Sequence, residues 1–130
     1  MKIFGIGTDI VNIKRIENLI KKSKKRAVYK IFSKREIDYC ESKKNPYPFY
    51  AKRYAAKEAL SKALGTGIRK NVIFKNIEVS NDSFGKPSIS LKGETINFLK
   101  KKIKKKKFNI YLSLSDDKPW AQATVIISYN

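Results

Sequence analysis

The chain contains no histidine, a single cysteine, a single tryptophan and a single methionine. Without histidine there is no imidazole to serve as a base. With one thiol besides, a structural zinc site is excluded. Cys40 has no second cysteine to pair with, which agrees with a reducing, cytoplasmic setting. No apolar run is long enough to span a bilayer. The first apolar stretch is too short for a signal peptide and is interrupted by Asp9. Any bound metal is expected to be a hard cation on oxygen ligands. Acidic side chains are also few, 11 against 30 Lys and Arg, for a formal charge of +19. That excess favours an acidic partner: nucleic acid, an anionic membrane, a polyanionic cofactor or an acidic protein. Charge does not choose among these, and genome bias also produces lysine-heavy chains. At 130 residues with 42% hydrophobic content, one domain over residues 1–130 with a real core is expected.

What is present is organised around Arg53-Tyr-Ala-Ala-Lys-Glu-Ala-Leu-Ser-Lys-Ala-Leu-Gly-Thr-Gly67. This run favours helix and holds no proline. Ala55, Ala56, Ala59, Leu60, Ala63 and Leu64 form one apolar stripe, small enough for another element to pack close to the axis. Glu58 and Lys62 share a face in the favourable order for an ion pair. Gly65 and Gly67 suit the helix end. Spacing alone supports a buried helix carrying one surface salt bridge.

The second stretch is Met1-Lys-Ile-Phe-Gly-Ile-Gly-Thr-Asp-Ile-Val11. Ile3, Phe4, Ile6, Ile10 and Val11 suit a short buried strand, and Gly5 and Gly7 allow close backbone approach. Asp9 lies inside this run, where a carboxylate must be paired, hydrogen-bonded or metal-bound. Capping of the following helix is the competing role for it.

Residues 12–26 read as a basic amphipathic helix and 27–32 as a short apolar segment. Ser33-Lys-Arg-Glu36 reads as a capping box opening a helix through Cys40. Asn45-Pro-Tyr-Pro48 breaks the chain, and the central helix is expected from about Phe49. Residues 77–80 and 88–91 read as strands joined by the turn-rich loop 81–87. Residues 94–107 begin as a helix and end in a lysine run, read as its solvated, frayed end. Residues 109–115 and 120–129 are expected to pair antiparallel across a turn at 116–119.

The Gly-Ile-Gly-Thr-Asp-Ile-Val segment and the Arg53–Gly67 helix together resemble the holo-acyl-carrier-protein synthase family, small phosphopantetheinyl transferases. The likeness extends to Asp82-Ser-Phe-Gly-Lys-Pro87 and to the closing Leu112-Ser-Leu-Ser and Ala121-Gln-Ala-Thr-Val125, in order, over nearly the whole chain. It implies an α+β fold, a small antiparallel sheet packed against a long central helix. It implies transfer of the 4′-phosphopantetheine arm of coenzyme A to a serine of apo-acyl carrier protein, releasing adenosine 3′,5′-bisphosphate and supporting fatty acid biosynthesis. By this resemblance Asp9 and Glu58 hold Mg²⁺. Glu58, directly or through a metal-bound water, takes the serine proton, and Lys62 stabilises the leaving group. Arg53, Ser61, Gly65, Gly85, Lys86 and Pro87 are its further candidates for holding coenzyme A, and Arg15 for docking an acidic carrier protein. A cytoplasmic homotrimer with sites between subunits is the expected assembly.

One position departs from the family pattern. Asp116 stands in Ser115-Asp116-Asp117 where the family often carries histidine, so no histidine base is assigned. Two other readings remain open from sequence. One is a basic nucleic-acid-binding module without enzymatic activity, resting on the charge and the Lys100–Lys107 run. The other is a transferase-like domain that has lost activity.

Overall fold

A computed structural model describes residues 1–130. A three-stranded antiparallel sheet has the order β1 (Lys2–Asn12), β5 (Trp120–Tyr129), β4 (Phe108–Asp117). Its inner face packs on the central helix α4 (Tyr47–Ala63), through Val11, Ala121, Ala123, Val125 and Ile127 on the sheet side. Small helices surround this core: α1 (Ile13–Lys22), α2 (Arg26–Ile31), α3 (Lys34–Glu41) and α5 (Gly93–Lys102). A separate hairpin, β2 (Ile77–Asn81) and β3 (Pro87–Leu91), closes the other side of α4. The architecture is the expected α+β arrangement.

Alternation along β1 explains why glycine recurs there. Gly5, Gly7, Asp9 and Val11 point toward α4, and the intervening side chains point away. A Cβ on Gly5 would fall 1.9 Å from the Ala63 carbonyl oxygen, and one on Gly7 would fall 1.9 Å from that of Ala59. Strand and helix therefore meet backbone to backbone, with alanine on one side and no side chain on the other. The reading of β1 as a buried strand is corrected by the same alternation. Ile6 and Ile10 lie on the open outer face, 65% and 61% exposed; Ile3, beyond a register irregularity between Ile3 and Gly5, is 56% exposed; and of the five apolar residues only Val11 is fully covered.

Several boundaries also shift. The helix expected over 12–26 ends at Lys22, because Lys24 and Lys25 take left-handed φ values of 50° and 72° before α2 begins. Asn12, not Asp9, caps α1, its side chain accepting from the backbone N–H groups of Lys14 and Arg15. Helix α4 begins at Tyr47, with Pro48 in its first turn, where a missing N–H costs nothing. The Ser33–Glu36 capping box forms with both of its hydrogen bonds.

Candidate active site

The close approach of β1 to α4 steps from Ala63 at Gly5 to Ala59 at Gly7. Continuing that step carries Asp9 toward the helix turn that holds Glu58. Asp9 is mostly covered, its side chain 16% exposed, and it is paired: Lys62 Nζ donates to Asp9 Oδ1 at 3.1 Å and to the Thr8 carbonyl at 3.0 Å. The ion pair expected between Glu58 and Lys62 is not formed. Strand β1 offers Lys62 a carboxylate and a carbonyl side by side, and these outcompete a helix-surface partner worth a few tenths of a kcal/mol, roughly. Glu58 is left half-buried with no cation of its own. Asp9 and Lys62 thus meet across 53 positions of sequence, with Glu58 one helical turn before Lys62 on α4. The donor set is all oxygen, as a hard divalent cation requires, and Asp9 Oδ1 already holds a cationic group, the Lys62 ammonium.

A second constellation lies toward the start of α4. A small cavity of about 150 Å³ is lined by aromatic rings (Tyr39, Phe49), cations (Lys52, Arg53) and the loop residues Asn81, Gly85 and Pro87. Arg53 is buried with its guanidinium 4.1 Å from the Tyr39 ring centroid. It donates to Asn81 Oδ1, while its Nε has no partner. Asn81 in turn donates to the Gly85 carbonyl at 3.0 Å, so the hairpin loop is tied to Arg53. Asp82 Oδ1 accepts from the backbone N–H of Lys86 at 2.9 Å, which shapes the turn and leaves the Lys86 side chain exposed. Asp116 pairs at 2.9 Å with Lys52, one of the residues lining this cavity. A larger depression of about 650 Å³ lies along α5, lined by Asn71, Glu94, Asn97, Phe98, Lys101 and Lys102, and includes neither acid of the first constellation.

The fold brings Arg53, Gly85 and Pro87 together, with Lys86 in the same loop. Ser61 and Gly65 are placed elsewhere. Ser61 is buried and its hydroxyl donates back to the Glu58 carbonyl at 2.6 Å. Gly65 is a helix-terminating residue at φ +84°, outside the cavity.

The family model for the 4′-phosphopantetheinyl transferase superfamily matches residues 5–124. The chain belongs to this superfamily. It is 45% identical to the holo-[acyl-carrier-protein] synthase of Pelagibacter ubique over 127 residues, 98% of each chain. The fold is similar to the crystal structure of holo-[acyl-carrier-protein] synthase from Neisseria meningitidis, with TM-score 0.87 and 37% identity, covering 97% of this chain and 98% of that one. It is also similar to the synthase of Bacillus anthracis in complex with coenzyme A (3′,5′-ADP), with TM-score 0.82 and 35% identity over all of both chains.

In this superfamily member, sequence reasoning missed Lys52, Tyr39, Phe49 and Asn81 at the cavity and Lys57 behind it. Lys52 had one signal, its place beside Arg53. Lys57 had none, because a lysine in an alanine-rich helix reads as solvated. Instead it is fully buried, donating to Glu36 Oε1 and the Ile31 carbonyl, each at 2.7 Å, and to the Phe74 carbonyl at 3.0 Å. Burial holds its amine below the ordinary lysine value, with Glu36 opposing. Immediately next to it on α4, Glu58 thus projects from a helix anchored on its far side.

Proposed function

We propose that the chain transfers the 4′-phosphopantetheine arm of coenzyme A to a serine of apo-acyl carrier protein, releasing adenosine 3′,5′-bisphosphate. The observation that carries this reading is the Asp9–Lys62 contact beside Glu58, made by residues with no local reason to meet. The serine oxygen forms a new bond to the phosphorus that bears pantetheine, and the bond from that phosphorus to the nucleotide phosphate breaks. Phosphoryl transfer asks mainly for placement and charge neutralisation.

Asp9 and Glu58 fit a magnesium ion as carboxylate donors. When bound, the ion would supply charge neutralisation at the pyrophosphate. Glu58, free of any ion pair, accepts the serine proton. Lys62, with a side chain 53% exposed on a flexible stem, turns from Asp9 to a phosphate oxygen and offsets charge on the leaving group. Arg53, Lys52 and the Gly85–Pro87 loop hold the nucleotide end, the Tyr39 and Phe49 rings backing the Arg53 and Lys52 cations. Arg15 and its basic helix dock the acidic carrier, a steering effect that salt weakens.

The outer face of the three-stranded sheet supports a homotrimer. Ile6, Ile10, Tyr111 and Trp120 are exposed, and an apolar sheet face of this kind is expected to be covered by another subunit. Because β1 also carries Asp9, a neighbour seated there stands beside the cleft. No helix is long and apolar enough to cross a membrane, and the proposed setting is the cytoplasm.

The test is to incubate apo-acyl carrier protein with coenzyme A, Mg²⁺ and the protein, then measure the carrier's mass. Gain of the phosphopantetheine mass is expected. No gain, together with salt-sensitive binding of DNA or RNA, would replace this reading with the nucleic-acid module.

A further inference from the structure

Two consecutive residues of β1 hold the Lys62 ammonium. It donates to Asp9 Oδ1 at 3.1 Å and to the Thr8 carbonyl at 3.0 Å. Thr8 is itself pinned, its hydroxyl donating to the Ala123 carbonyl and accepting from Gln122 Nε2, each at 3.1 Å. The Asp9 side chain is only 16% exposed, and Lys62 is its one hydrogen-bond donor. The Lys62 side chain is 53% exposed. Of the two partners the lysine is therefore free to swing away on its long stem, while the carboxylate stays on its strand. An oxygen that accepts from an ammonium cannot also take a divalent cation without bringing two positive centres into near contact.

We infer that Lys62 competes with the divalent cation for Asp9, and that the diphosphate of coenzyme A ends the competition by drawing Lys62 away. The inference rests on the function proposed above. Phosphate oxygens offer the ammonium charge-assisted hydrogen bonds in place of those from Asp9 and the Thr8 carbonyl. Asp9 then stands mostly covered and without a partner, a condition a carboxylate relieves by taking a cation. Lys62 thereby couples two binding events, and by linkage each tightens the other by the same factor. The chain is built to take up metal and coenzyme A together rather than metal first.

Mn²⁺ serves as the probe, because the paramagnetic resonance signal of its hydrated ion falls on binding. Without coenzyme A, Lys62→Met should bind Mn²⁺ roughly fivefold more tightly than wild type. With saturating coenzyme A, the two proteins should agree within about twofold, since Lys62 has then left Asp9 in wild type as well. Lys62→Gln, which also loses the charge, should follow Lys62→Met. Lys14→Met removes a charge from the adjoining helix, where Lys14 contacts Glu17 and not Asp9, and should leave Mn²⁺ affinity unchanged. Equal Mn²⁺ affinity of Lys62→Met and wild type without coenzyme A would overturn the inference. The same gain in Lys14→Met, or a gain that persists with coenzyme A bound, would overturn it too. Failure of the wild-type protein to modify the carrier in Mg²⁺ sinks the proposed transfer itself. Normal transfer by wild type with no Mn²⁺ gain in Lys62→Met sinks only the competition for Asp9.

Discussion

Lys57 and Glu36 form an ion pair with no solvent access on either side, Nζ lying 2.7 Å from Oε1. Every donor of the ammonium is used, the other two by the Ile31 and Phe74 carbonyls. Glu36 is equally occupied, accepting from the backbone N–H of Ser33 at 2.8 Å and of Val79 at 2.9 Å. The pair joins α4 to the start of α3, the turn after α2, the 3-10 turn at Phe74–Asn76 and strand β2. A buried pair of this kind adds little over an apolar replacement, but stranding one member is costly. Its use here is geometric: it sets the rotation of α4, and hence the direction in which Glu58 and Lys62 project.

Lys57→Met should therefore lower stability by about 3–5 kcal/mol, because it leaves the Glu36 carboxylate buried and unpaired. Adding Glu36→Gln should recover part of that loss, since the stranded charge disappears, although the amide keeps an oxygen for only one of the two backbone N–H groups. Urea unfolding of the single and double variants reads this directly. A double variant less stable than Lys57→Met would show that the charge was not the penalty.

Gly7→Ala is expected to do more harm than a methyl group normally does. The added Cβ would lie 1.9 Å from the Ala59 carbonyl oxygen, a backbone atom that cannot rotate aside. The strand must lift from the helix, at a cost of about 3 kcal/mol. Asp9 moves with it, so the transfer rate should fall further than the folded fraction does. Thermal melting and transfer measured on the same sample separate the two effects. Gly65→Ala meets no neighbouring atom, and its cost should come only from the left-handed backbone, about 1 kcal/mol.

Asp9→Asn and Glu58→Gln keep shape and remove charge. Each should lower transfer at least about a hundredfold while changing stability by less than about 1 kcal/mol. Asp9→Asn should also release Lys62, whose ion pair is lost. Wild-type rates in Mg²⁺ for either variant would remove the carboxylate pair from the mechanism.

The packing that organises the site was legible because it depends on side-chain size and period. The alanine stripe of α4 and the glycines of β1 each announced a close contact, and they meet each other. The capping box was legible because both of its bonds are local. What could not be read depended on which partner lies across the fold. Ile6 and Ile10 suggested burial, yet they face outward from a sheet whose other face rests on α4. Lys62 was expected to pair with Glu58, but the Thr8 carbonyl and Asp9, brought by β1, hold it instead. The break after Lys22 carries no glycine or proline, and lysines adopt the left-handed conformations there.

Asp116 gives a prediction specific to this chain. Its carboxylate pairs with Lys52, a cation lining the cavity proposed for the nucleotide end of coenzyme A. A negative charge paired to that cation opposes a polyanionic ligand and occupies a group that could meet it. Asp116→Asn should lower the KM for coenzyme A by roughly threefold and tighten inhibition by adenosine 3′,5′-bisphosphate by the same factor. The gain should shrink as salt is added. A raised KM would mean instead that the ion pair is needed to hold Lys52 in place.

Alkaline pH should expose the burial of Cys40. Burial pushes its thiol from the ordinary 9.0 up to about 12, with the nearby Arg53 pulling the other way. The folded-state value is the higher one, so its contribution to stability is fully present below pH 9.0 and is lost as pH rises toward about 12. In that window the unfolded chain releases a proton that the folded chain retains, a slope of up to about 1.4 kcal/mol per pH unit. Tyr50, also raised by burial and by its bond to Glu41, adds a loss of the same sign at higher pH. Cys40→Ala isolates the thiol, because Tyr50 and the lysines titrate in both proteins. The stability advantage of wild type over Cys40→Ala should therefore hold steady up to pH 9.0 and narrow above it. Urea unfolding at pH 8 and pH 10.5 measures the difference, and an advantage that stays constant across that range would mean the thiol ionises as readily in the fold as outside it.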